Sequence, residues 1–124
     1  MKLKNFFKIL ILFLLWCNTS LSEIRVETYL KYKDSSSEKV QKQLDIVLIH
    51  LGAGIMSMNV ELDYNKRNKI FCSPDNLAFN AGNYSRFIDD EIKYLRTLMR
   101  IDELNDFPIA MILISHLKKA FPCK

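Results

Sequence analysis

Residues 35–62 read SSSEKVQKQLDIVLIHLGAGIMSMNVEL, and the spacing of their apolar side chains decides the class of fold. Val40, Leu44, Val47, Leu48, Leu51, Ile55, Met58 and Leu62 advance by three and four, which lays one apolar stripe along one face of an α-helix. Ser35 and Glu38 fit a capping box, the serine hydroxyl accepting a first-turn amide while the glutamate reaches back to the serine amide. Together they predict a helix over 36–62. Gly52 and Gly54 fall inside it, each costing about 1 kcal/mol of helix propensity relative to alanine. Close approach of another helix at a patch without side chains would offset that cost; the alternative is a local break.

Towards the C-terminus the helical period returns twice. After the polar segment DYNKRNK (63–69) and the turn Ser73-Pro74-Asp75, just ahead of which Cys72 is held, the residues Tyr84, Phe87, Ile88, Ile92, Leu95, Leu98 and Met99 predict a second helix over 79–100. Its other face carries Arg86, Asp89, Asp90 and Lys93, where Arg86 with Asp90 and Asp89 with Lys93 are spaced as exposed ion pairs. The segment RIDELND (100–106) reads as an acidic loop, and Pro108 opens a third helix through Ile109, Ile112, Leu113, His116, Leu117 and Ala120 that Pro122 stops. Ahead of the first helix, EIRVETYLKYK (23–33) fits either a short strand or a helical turn. The expected fold is therefore a small all-α bundle of three to five helices.

The N-terminus reads MKLKNFFKILILFLLWCNTSLS: Lys2, Lys4 and Lys8, then the apolar run Ile9–Cys17, then small residues at Ser20 and Ser22. This is the layout of a secretory signal peptide cut after Ser22, and the apolar run is far shorter than the ~20 residues a membrane-spanning helix needs. No stable membrane anchor is expected after cleavage. Cys17 follows Trp16, where a lipid-attachment site requires a small residue, so it is expected to leave with the signal. The domain is then 23–124, and removing the three signal lysines from 18 basic residues leaves 15 against 14 acidic ones. So even a balance gives no electrostatic reason to bind nucleic acid.

Two cysteines remain, Cys72 and Cys123, in a compartment that permits disulfides, and the economical reading joins them. Closing a loop of 51 residue steps stabilises by about 4 kcal/mol in the chain-entropy model. Residues that carry chemistry are otherwise sparse. The sequence has no HExxH, GxSxG or phosphate-binding loop, and its two histidines, His50 and His116, have no ligand-spaced cysteine or carboxylate around them. Adjacent helical carboxylates such as Asp89 and Asp90 point in different directions and do not make a glycosidase pair. No cofactor, metal or enzymatic activity is expected. Asn83-Tyr84-Ser85 matches an N-glycosylation sequon.

GAGIMSMNVEL (52–62), FCSPDNLAF (71–79), YLRTLM (94–99) and FPIAMILISHLKKAFPCK (107–124) resemble, in this order, the pattern of the Rap/Tai immunity proteins of bacterial type VI secretion systems. The resemblance covers roughly residues 28–124. It implies an all-helical periplasmic domain with a glycine-containing first helix, to which Gly52 or Gly54 corresponds, a Cys-x-Pro or Cys-Pro turn, matched here by Cys72-Ser73-Pro74, and a bridge from Cys72 to the terminal Cys123. Further cysteines that many members carry early in the domain are absent between Glu23 and Phe71.

The resemblance also implies function by occlusion. Such proteins are often dimeric, and they block a periplasmic toxin, frequently a peptidoglycan amidase, by inserting a loop into its active-site groove. Two loops are candidates: 101–107, with Asp102, Glu103 and Asp106, and 63–69, with Asn65, Lys66 and Arg67. The acids favour the first where the toxin's groove is basic. The partner is then a cognate effector toxin, with a homodimer as a further expectation. The alternative class is a small periplasmic stress chaperone or other helical binding module, with a secreted hydrolase ranked behind both.

Overall fold

A computed structural model describes residues 23–74 and 78–124. The expected signal peptide, with Cys17 and the cleavage site, lies outside the described residues. Among the described residues, five helices follow in order: α1 (Val26–Lys33), α2 (Glu38–Tyr64), α3 (Ala81–Leu95), α4 (Ile101–Asn105) and α5 (Ile109–Ala120). The fold is all-α, with α3 packed on both α5 and α2, and α1 laid across α2 and α4.

The N-terminal segment resolves to a helix, with a trace of the strand alternative. Val26 and Tyr29, one turn apart, are fully buried, and that pair of anchors is what an eight-residue helix needs to hold to a core. Just before it, the Val26 amide donates to the Phe107 carbonyl and the Ile109 amide to that of Ile24, both at 2.9 Å, an isolated antiparallel bridge between Arg25 and Pro108. At the other end of α1, the Tyr29 hydroxyl donates to Asp89 Oδ1 at 2.9 Å and accepts from Ser85 Oγ at 2.8 Å. Lys33 pairs with the other oxygen of Asp89. Asp89 therefore faces α1 instead of pairing with Lys93 along its own helix.

Helix α2 is one unbroken element through both glycines, so the alternative of a local break does not occur, and the Tyr84 ring of α3 packs against Gly52. Its start differs from the capping-box reading. The N-cap is Ser37, with no side-chain cap bond, and Ser35 Oγ accepts from the Ser37 amide instead, closing a turn two residues earlier. The capping box belongs to α3, where the Asn80 side chain accepts from the Asn83 amide at 2.9 Å and Asn83 Oδ1 accepts from the Asn80 amide at 3.1 Å. The sequon asparagine is thus half-buried in a helix cap. Helix α3 ends at Leu95, short of residue 100, in a series of turns that leads into α4.

Cys72 and Cys123 are bonded, with the sulphurs 2.03 Å apart. Asn59, buried on α2, sets the position of the first one. Its amide donates to the Phe71 carbonyl at 2.8 Å while its oxygen accepts from the Ile70 amide at 2.7 Å. A buried amide satisfied on both sides fixes the approach of this segment, and Phe71 goes fully into the core. The Cys72 amide then donates to the Phe121 carbonyl at 2.8 Å, aligning the two cysteine-bearing segments beside the bond. Phe79, Phe87 and Phe121 close the same end with ring centroids 5.4–6.3 Å apart.

Candidate functional site

The two loops expected to meet a partner lie at opposite ends of α5. One precedes its first residue; the other leads into Cys72, which is hydrogen-bonded to Phe121 just past its last. They do not form one patch. The acidic segment is not a loop either, since Ile101–Asn105 is the short helix α4, anchored by fully buried Leu104. Arg100 donates to both oxygens of Asp102, at 3.1 and 2.9 Å, and Arg25 pairs with Asp106 at 3.0 Å. Two of the three acids thus have local counter-ions, which lowers the charge this pole offers to a basic groove. Glu103 is exposed.

At the other pole, Asp63 and Tyr64 belong to α2 and only the residues after them form a loop. Asn65 caps α2 through its side-chain amide on the Glu61 carbonyl, Lys66 takes a left-handed φ of 54°, and the Arg67 amide returns to the Leu62 carbonyl at 2.8 Å. This is a helix stop built by Asn65 and Lys66. Arg67 is exposed, and Lys69 pairs with Asp63.

Between the poles the surface is more unusual. The expected single stripe of α2 divides in two. Leu44, Leu48 and Ile55 are buried with Gly52 and Asn59, whereas Val47 and Met58 are 37% and 42% exposed. These two, with Leu51, Gly54 and the edge of Ile55, form the α2 side of a groove of about 700 Å³; Ala110 and Ile114 of α5 form the other, and His50 is exposed on its rim. The lining is almost wholly apolar. Ile46, Ile49 and Val60 add exposed apolar surface elsewhere on α2. Large contiguous apolar areas mark surfaces that meet another macromolecule, which makes this groove the candidate contact. Alpha-helix α2 is also long and apolar enough to cross a membrane by length and composition, but its Leu44–Leu48–Ile55 face packs inside the bundle.

The opposite flank of α5 holds a polar cluster that sequence spacing does not reveal. Glu91 of α3 is 2% exposed, and its Oε1 accepts from Ser115 Oγ at 2.7 Å and Lys119 Nζ at 2.6 Å. Lys119 Nζ also stands 4.0 Å above the centre of the Tyr94 ring, a cation–π contact. His116 stacks on Phe87 with centroids 4.9 Å apart, its Nδ1 lying 3.8 Å from Glu91 Oε2. The histidine without a ligand-spaced neighbour in sequence thus has a carboxylate beside it in space, brought there by the α3–α5 contact. Among the described residues no group of three or more His, Cys, Asp or Glu side chains could hold a metal ion. No protein-family model matches the chain, and no curated protein or solved structure matches it either.

Proposed function

We propose that the chain is a periplasmic immunity protein, exported by the residue 1–22 leader, that binds a type VI secretion effector and occludes its active site. The expected effector class is a peptidoglycan amidase or similar cell-wall hydrolase. In this reading the protein contributes a shaped surface and no chemistry, so neither cofactor nor catalytic residue is called for. The observation that carries it is the bridge from Cys72 to Cys123 across an all-helical body. It is the feature on which the resemblance to the Rap/Tai proteins makes its most specific demand, and it suits an oxidising compartment.

The apolar groove beside Gly54 supports a protein partner over a small substrate, because exposed apolar area of this kind is stabilised by shape-matched burial. With Asp102 and Asp106 paired locally, the middle of the molecule is favoured over the acidic pole as the contact. The test is to purify the oxidised protein from its own cells with whatever it holds. The expected result is one stoichiometric hydrolase whose activity falls on binding, with binding weakened by Gly54→Leu and unaffected by charge reversal at Asp102 and Asp106. A broad set of clients without a single partner would replace this reading with the chaperone one.

A further inference from the structure

The cleft between α3 and α5 holds a buried carboxylate with one oxygen in use and one open. Both hydrogen bonds to Glu91 fall on Oε1. The group nearest to Oε2 that could donate, His116 Nδ1, is at 3.8 Å, beyond hydrogen-bond distance. No fully buried side-chain oxygen among the described residues lacks a partner, so Oε2 is not completely covered, and Glu91 lines a cleft of about 470 Å³ with Asp90, Tyr94, His116 and Lys119. Lys119 is already committed to Oε1 and to the Tyr94 ring. The cleft thus presents two carboxylates, one from its floor and one from its rim, against a single engaged ammonium.

We propose that this cleft is a binding site for a guanidinium group, supplied by an arginine of a protein partner. A guanidinium is planar, permanently charged and carries several donors in a fixed fork, so one edge can serve Glu91 Oε2 while its face lies against the His116 ring, and the exposed Asp90 carboxylate at the rim adds its negative field. An ammonium is a point donor and gains less from a flat aromatic wall. The largely buried setting of Glu91 makes the interaction worth more than a fully exposed surface pair, since little water screens it. The site stands whether or not the partner is an effector toxin.

Nuclear magnetic resonance titration of the oxidised protein with N-acetyl-arginine amide tests this, using N-acetyl-citrulline amide as a neutral control of the same shape. Arginine is expected to shift the Glu91, Tyr94, His116 and Ser115 signals saturably at millimolar concentration, and citrulline to leave them unmoved. Glu91→Gln is expected to lower the affinity by roughly tenfold, the scale of one charge-assisted hydrogen bond. Asp90→Asn, an exposed change that leaves folding intact, is expected to lower it by about threefold. Equal responses to arginine and citrulline would overturn the site, as would shifts outside the cleft or an affinity that Asp90→Asn leaves unchanged. Because no effector enters the experiment, its outcome is separate from the search for one.

Discussion

Gly52 and Gly54 lie two residues apart on α2 and face opposite surroundings. A Cβ built on Gly52 would stand 2.1 Å from the Tyr84 ring, a separation that real carbon atoms do not reach, whereas one built on Gly54 would meet nothing within 4 Å. The first glycine is required by the α2–α3 contact. The second lies on the open groove and carries its propensity cost with no side-chain contact among the described residues to offset it. One side of α2 is finished, and the other is unpartnered; the contrast teaches that the same residue type in one helix can mark a closed interface and an open one.

The contrast can be attacked from both sides. Leu48 is fully buried on the finished side, and Leu48→Ala is expected to cost about 2–5 kcal/mol in denaturant unfolding, while Val60→Ala, on an exposed position of the same helix, is expected to stay within about 0.5 kcal/mol. Comparable costs for the two would break the distinction. Gly52→Ala is expected next, at about 1–3 kcal/mol, because displacing a buried tyrosine outweighs the gain in helix propensity.

Tyr29 sharpens the finished side through pH. Burial, first, and its hydrogen bond to the Asp89 carboxylate hold the Tyr29 phenol well above its ordinary value. A group whose pKa is raised by folding contributes its full stabilisation below the unfolded-state value and loses it as pH climbs above it. The protein is therefore expected to lose stability above pH ~10, the ordinary tyrosine value. Tyr29→Phe should cost about 1 kcal/mol at neutral pH and flatten that alkaline loss, as measured by thermal melts across the range. An equally steep loss in the variant would assign it to other groups. The smallest effect belongs to the open side: Gly54→Ala is expected to stabilise the isolated protein by about 0.4–1 kcal/mol. A loss of stability there would mean that the groove closes on itself in solution.

The parts of this fold that were legible in sequence are those where one side-chain period runs long enough to dominate. The α2 and α3 patterns, Pro108 ahead of α5 and the two cysteines each pointed to the observed elements. Where the reading departed, competing short-range signals explain it. Ser35, Ser36 and Ser37 offer three successive N-caps, and only local geometry chooses the last. Asn80 with Asn83 makes a capping box that lacks the usual serine and glutamate. The five residues of α4 are too few to display a period, and α1 mixes β-branched and aromatic residues with helix formers. The apolar stripe of α2 was visible, but its division into buried and open halves depends on how far α5 stands from it, which no spacing records. Glu91 was hidden for the same reason, since Ser115 and Lys119 are 24 and 28 positions away. Asn59 passed as a polar residue within the helix, its partners lying in a segment with no regular structure.

The bond between Cys72 and Cys123 also gives the chain an unequal topology. Residues 72–123, with α3, α4 and α5, are a covalent ring, while α1 and α2 are a linear arm joined to it at one point. A protease that cuts once within the ring leaves a single molecule, whose ends stay tethered and can return to register. One cut between Asn65 and Lys69 instead separates the arm, carrying off Gly54 and half of the apolar groove. In a compartment where proteases are present, durability is thus built into the half that holds the Glu91 cleft, and the turn at Lys66 is the point on which survival of the whole depends.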